Sequence, residues 1–306
     1  MRFLFLFFLS FGAWASPFAY VPNEQSGTLS VIDTRTDKVV RDIPAGTRPR
    51  GIAVHGELLF VSDEPQNALH VLDLGAAKVV RTIALGQSPE GVSMSPDGRL
   101  VAVASELANT VILVDAASGA ILAAVKTEGK NPEHAVFSPD GRWLYVSAED
   151  ASQVDVVDVA KRAQVAKVEV GKRPRGIAFT PDGKRAYVAC ELADTVYAID
   201  TASHRVLASI PAGKFSNGVA MRPDGRRVYV SNGREASVSV IDTDTNRIVA
   251  TIAVGQRPWN MALTPDGAKL YVANGRSNSV SVIDTRTDAK LADIAVGERP
   301  WGVAIR

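Results

Sequence analysis

A single cysteine, Cys190, in a chain of 306 residues excludes an intramolecular disulfide in any compartment. It follows the apolar run Ala186-Tyr187-Val188-Ala189, which reads as an inert thiol at a strand end. Histidine is as scarce: His55, His70, His134 and His204 are too few and too scattered for a multi-histidine zinc centre. Neither sign of charge prevails, since 34 basic residues face 33 acidic ones and the formal net charge is +1. That balance removes any global pull towards nucleic acid or an anionic membrane, and leaves electrostatic binding to local patches. The chain has no Gly-x-Gly-x-x-Gly, Walker loop, His-Glu-x-x-His, Gly-x-Ser-x-Gly or Cys-x-x-Cys. Stability must therefore come from packing, for which 46% apolar residues in a chain of this length suffice.

The first fifteen residues differ from the rest. Arg2, an apolar run from Phe3 to Phe11, and Ala13-Trp14-Ala15 as a small-x-small cleavage site read as a secretory signal peptide over 1–15. A membrane-spanning helix needs about 20 apolar residues, and polar sequence begins at Ser16. The expectation is a periplasmic or secreted protein, monomeric, with no stable membrane insertion after cleavage, and a single domain over 16–306.

What the sequence does have is repetition. An Asp closes a β-rich run at Asp33, Asp73, Asp115, Asp158, Asp200, Asp242 and Asp284, at intervals of 40, 42, 43, 42, 42 and 42 residues. Each unit holds short β-branched runs between Pro, Gly, Asn or Asp, as in Arg227–Ser231, Ser237–Asp242 and Ile248–Ile252. Pro-Asp-Gly recurs from Pro96, Pro139, Pro181, Pro223 and Pro265, a turn in which Pro presets one dihedral and Gly accepts a positive one. Four strands per unit and seven units predict an all-β, seven-bladed propeller of four-stranded antiparallel blades. The chain starts at a second strand, Phe18–Val21, and stops after a first strand, Val303–Arg306, so the C-terminal strand should join three N-terminal ones in blade one. The recurrent aspartates are expected to cap turns. Asp242-Thr-Asp244-Thr-Asn246 mimics the start of a calcium loop, but Arg247 and Ala253 stand where Gly and Glu are needed, so it too is a turn.

Leu270–Asn274, Leu144–Ser147 and Ser279–Asp284 resemble the bacterial and archaeal YVTN-type β-propeller repeat, over the whole chain after the leader. The closing Gly297–Arg306, with Asn274–Asp284 before it, is similar to the exported propellers associated with pyrroloquinoline quinone (PQQ)-dependent catabolism. That resemblance implies an accessory protein beside quinoprotein alcohol oxidation, its association with PQQ indirect, and the quinoprotein amine dehydrogenase-like superfamily. Seven blades and one cysteine argue against a quinoprotein dehydrogenase itself.

Two loop positions carry varied chemistry on one face. Before each inner strand, the loop contributes Arg48 and Arg50, Glu90, Glu133 and His134, Arg173 and Arg175, Asn217, Arg257, Trp259 and Asn260, then Arg299 and Trp301. After each second strand stands Glu24, Glu64, Glu106, Glu149 or Glu191, replaced by Gly233 and Gly275 in blades six and seven. Five like charges at one repeat position need partners, and the arginines are the obvious ones. Aromatic residues appear where glutamate is lost, so an asymmetric mouth is expected, with His134 as a polar rim residue. The reading favoured by these residues is a non-catalytic binding or scaffolding module for a protein partner or a planar anionic small molecule. No catalytic residue, metal or cofactor is assigned. The alternatives are single-stranded DNA or RNA binding through stacking and basic residues, and a propeller hydrolase or lactonase using the mouth carboxylates.

Overall fold

The structure, a computed structural model, describes residues 18–306; the leader expected over 1–15 lies outside them. Seven four-stranded antiparallel sheets form the blades. Blade two, for example, runs Pro49–His55, Leu58–Asp63, Ala68–Asp73 and Lys78–Ala84 from the axis outwards. The register explains the burial pattern. The second strand is closed on both sides, so Leu144–Ala148, Ala186–Cys190 and Leu270–Asn274 are buried throughout. Each outer strand, such as Lys38–Pro44, buries mainly one residue near its end.

The core lies between blades rather than within them. Tyr145, Val154 and Val156 of blade four pack on Ile177, Val188 and Ile199 of blade five. Ala19, Val21 and Ile32 of blade one pack in the same way on Tyr271, Val280 and Val282 of blade seven. Each such side chain contributes about 1.5–3 kcal/mol by leaving water, so every blade depends on its neighbours. Buried tyrosines add polar stitches: the Tyr187 hydroxyl donates to Asn246 Oδ1 at 2.9 Å, and the Tyr271 hydroxyl donates to Asp37 across the closure.

Closure occurs as the strand count requires. Ala304–Ile305 pairs with Phe18–Asn23, with Ala19 opposite Ile305 and Tyr20 opposite Ala304. The first N-terminal strand runs two residues beyond Val21, and blade six gains an inner strand from Ser216. The seven repeat aspartates behave as turn caps: Asp73 Oδ1 accepts from the Ala76 amide at 2.7 Å, and Asp242 Oδ1 accepts from the Thr245 amide at 2.9 Å. The calcium-loop mimic is thus an ordinary turn. Cys190 is fully buried, and burial pushes its thiol up to about 12, which leaves it unreactive at neutral pH.

Candidate active site

One local irregularity builds the mouth. Along the inner strands of blades two, three, five, six and seven the pairing slips just after the Pro or its equivalent, as between Pro174 and Ile177. The extra residue of this bulge turns the side chain after Pro, or after Ser216 in blade six, towards the propeller mouth. Arg50, Glu90, Arg175, Asn217 and Trp259 all occupy that position. Two glycines show how crowded the axis is. A Cβ on Gly51 would stand 2.2 Å from the Glu90 carbonyl oxygen, and one on Gly218 would stand 2.3 Å from that of Trp259. Blades four and seven lack this glycine, with His134 and Asn260 in its place.

The resulting cavity, of roughly 360 Å³, brings together Glu24, Arg48, Arg50, Glu64, Glu90, Glu106, Glu133, Glu149, Arg173, Arg175, Asn217, Arg257, Trp259, Asn260 and Trp301. Glu191 lies just beneath, fully buried, and reaches the group through Arg257 Nη2 at 2.7 Å. Arg299 stands apart, on an adjoining cavity of roughly 580 Å³ with Phe215, Arg234, Arg257, Trp259 and Arg276.

His134 corrects the expectation of a rim histidine. Taking the place of the glycine, it lies in the channel beneath the mouth, its ring stacked on Trp301 with centroids 5.5 Å apart. Burial pulls its pKa down to about 4, so the ring is neutral, and its Nδ1 has no hydrogen-bond partner. The pair of rings lines both the mouth and the channel below through Trp301.

The carboxylates and guanidinium groups interlock across blades. Arg50 bridges Glu24 (2.9 Å) and Glu90, while Arg48 bridges Glu24 (2.5 Å) and Glu64. Arg175 meets three at once: Glu133 at 2.5 Å, Glu149 at 3.2 Å and Glu191 at 3.1 Å. All the nitrogens of Arg50 and Arg175 are therefore engaged. Arg173 uses only Nε on Glu149 and Glu191, and Arg257 only Nη2 on Glu191. Their remaining N–H groups have no acceptor among the described residues. Glu106 differs from the other ring carboxylates: the Ser88 hydroxyl donates to it at 3.0 Å, and no guanidinium touches it.

This unequal pairing spreads the acidities. Burial raises Glu90 well above the usual carboxylate range, with the nearby Glu133 charge adding to it. Burial likewise lifts Glu149 to about 7, against the pull of Arg175. Burial works the same way on Glu133 and Glu24, but the guanidinium groups of Arg175 and of Arg48 with Arg50 outweigh it and hold both low.

The opposite sector is basic and aromatic. Arg234 lies over the Phe215 ring at 3.7 Å and Arg257 at 5.3 Å. Trp259 covers Gly275: a Cβ there would come within 2.6 Å of its ring. The loss of glutamate at this repeat position thus makes room for the tryptophan. The sequence reading missed Arg234 and Arg276, one residue beyond the glutamate position, and assigned no role to Phe215, which stands in the first loop where other repeats have Arg48 or Arg257.

Comparisons with known proteins agree on the fold and add a chemistry. A family model described as lactonase, 7-bladed beta-propeller, matches residues 159–296, less than half of the chain. Hydrazine synthase from Kuenenia stuttgartiensis is similar in structure, with a TM-score of 0.81 and 25% identity over 88% of this chain and 92% of that one. A functionally unknown protein from Desulfotomaculum acetoxidans shares the fold, with a TM-score of 0.83 and 18% identity over 94% of this chain and 98% of that one. No curated protein matches in sequence. The chain is thus a seven-bladed β-propeller with likeness to the lactonase propellers. That match overturns the expectation of a non-catalytic binding or scaffolding module, and favours the hydrolase alternative.

Proposed function

We propose that the protein opens lactones by hydrolysis in the mouth cavity, and that it acts on lactones bearing an anionic group. The observation that carries this reading is the co-location, in the cavity, of a free carboxylate oxygen and free guanidinium donors. Glu90 Oε2 is the buried carboxylate oxygen without a partner, while Arg173 and Arg257 keep N–H groups to spare. The lactonase match over 159–296 includes both of these arginines.

The chemistry follows from these roles. A water attacks the ring carbonyl carbon, its proton passes to Glu90 in its ionised form, a strong base because burial raises its pKa, and the carbonyl oxygen becomes an oxyanion facing the free donors of Arg173 and Arg257. The ring C–O bond then breaks, the proton moves from Glu90 to the departing alkoxide, and a hydroxy acid leaves. Arg234, Arg276 and Arg299 make no salt bridge to a carboxylate among the described residues, which suits them to an anionic substituent beside Trp259. We also read the repeat as YVTN-type, on strands such as Leu270–Asn274, and the protein as exported on its first fifteen residues.

The test is acid release from five- and six-membered lactones, with and without a carboxylate or phosphate group, followed by pH-stat. Turnover that falls at least 100-fold in Arg173→Gln supports the reading. A purified, folded chain that opens none of them contradicts it.

A further inference from the structure

The mouth carries more negative charge than its arginines cover. Seven carboxylates, counting Glu191, face the five guanidinium groups of Arg48, Arg50, Arg173, Arg175 and Arg257. The uncovered charge is concentrated on one side. Among the described residues Glu106 touches no arginine and Glu133 meets only Arg175, which it shares with Glu149, itself also paired with Arg173.

Oxygens of Glu106, Glu133 and Glu149 lie within 4.8 Å of one another. The ion pairs and hydrogen bonds of these groups use Glu133 Oε1, Glu149 Oε1 and Glu106 Oε2, which leaves a second oxygen on each. A separate observation points into the same space. Glu90, 1% exposed, has a buried Oε2 without any partner, and it lies close enough to Glu133 and Glu106 to feel both charges. Arg50 pairs with the other oxygen of Glu90, but a buried carboxylate oxygen without a hydrogen bond is costly, and a nearby cation reduces that cost.

We propose that Glu106, Glu133 and Glu149 bind one calcium ion, with Glu90 facing it. All the donors are hard carboxylate oxygens, which excludes a preference for soft or nitrogen-loving metals. Oxygens up to 4.8 Å apart suit an ion with metal–oxygen distances of about 2.3–2.6 Å, whereas magnesium needs about 2.0–2.1 Å in strict octahedral geometry. The site shares Glu90 with the lactone reading, but ion binding is measured without substrate, so either idea can fail alone.

The experiment uses the full chain, stripped with a chelator and titrated with CaCl2 by calorimetry, with terbium luminescence sensitised by Trp301 and Trp259 as a second readout. The expected result is one saturable site, a calcium-dependent rise in melting temperature, and at least tenfold weaker binding in Glu106→Gln and Glu133→Gln. Magnesium should bind more weakly. Glu169→Gln, a change on an exposed outer strand, controls for general charge effects and should bind as the wild type does. Absence of binding at millimolar calcium in wild-type protein overturns the site, as does unchanged affinity in both mouth variants. Should those variants fail to fold, Glu106→Asp, which keeps the charge and shortens the reach, should still weaken binding, and unchanged affinity there overturns the site too.

Discussion

The two halves of the mouth are built on one repeat yet solve opposite problems. In blades one to five the repeat position after the second strand is glutamate, and Arg48, Arg50, Arg173 and Arg175 are drawn inwards to meet each of these except Glu106. In blades six and seven it is Gly233 and Gly275; there Arg257 and Trp259 lie across the vacated space, and Arg234, Arg276 and Arg299 further out make no salt bridge among the described residues, although Glu24 and Glu235 line the same cavity. A difference of one side chain per blade thus turns an ion-paired, proton-handling wall into an aromatic, anion-seeking one. A ring of identical repeats offers a symmetric mouth; substitution at one register breaks that symmetry without disturbing the blades.

The comparison breaks most severely at Arg175. Its guanidinium holds three buried carboxylates from blades four and five, so Arg175→Gln should leave Glu133 without its ion-pair partner and Glu149 and Glu191 with only Arg173 and Arg257. A loss of about 3–5 kcal/mol is expected, read by denaturant unfolding. A loss below about 1 kcal/mol would mean that the acidic wall does not depend on its arginines.

Gly275→Glu restores the repeat and should convert the basic sector towards the acidic one. The new side chain meets the Trp259 ring, so about 1–3 kcal/mol of stability should go, and affinity for an anionic lactone should fall while that for a neutral one stays. Equal losses for both substrates would show that the sector does not read charge.

The smallest effect lies on the far face, at the Pro-Asp-Gly turns. Hydroxyl hydrogen bonds from Ser95, Ser138, Thr180 and Thr264 lower the pKa of Asp97, Asp140, Asp182 and Asp266. Their native pKa values lie below the unfolded ones, so their stabilisation is complete above about pH 4 and is lost as pH falls through the native values. Melting temperature should decline over that acid range, slightly less steeply in Asp182→Asn, whose lactone turnover should match that of the wild type.

Much of this was legible in the sequence because the period is covalent information. Blade number, strand count, turn caps such as Asp242 and the closure by Ala304–Ile305 follow from spacing and chain ends alone. The membership of the mouth was legible for the same reason: equivalent repeat positions converge on one face of a ring. What was not legible is depth and direction. His134 differs from its neighbours' glycine by one residue in the sequence, but only the crowding at the axis sends it down onto Trp301. Nor could spacing reveal that Arg175 is saturated while Arg173 keeps free donors, since that depends on which carboxylate each fork reaches. The favoured binding reading is overturned by the lactonase match, and the orphaned oxygen of Glu90, which spacing does not show, emerges only in the geometry.

The most direct test of the central claim, that the acidic sector with Arg257 at its border does the chemistry and the outer arginines of the basic sector hold the substrate, is a kcat and KM measurement on an anionic lactone and its neutral parent. Glu90→Gln should lower kcat about 100-fold or more for both substrates, whereas Arg276→Gln with Arg299→Gln should raise KM about tenfold for the anionic lactone alone. Full kcat in Glu90→Gln, or an arginine variant that weakens both substrates alike, would contradict the account.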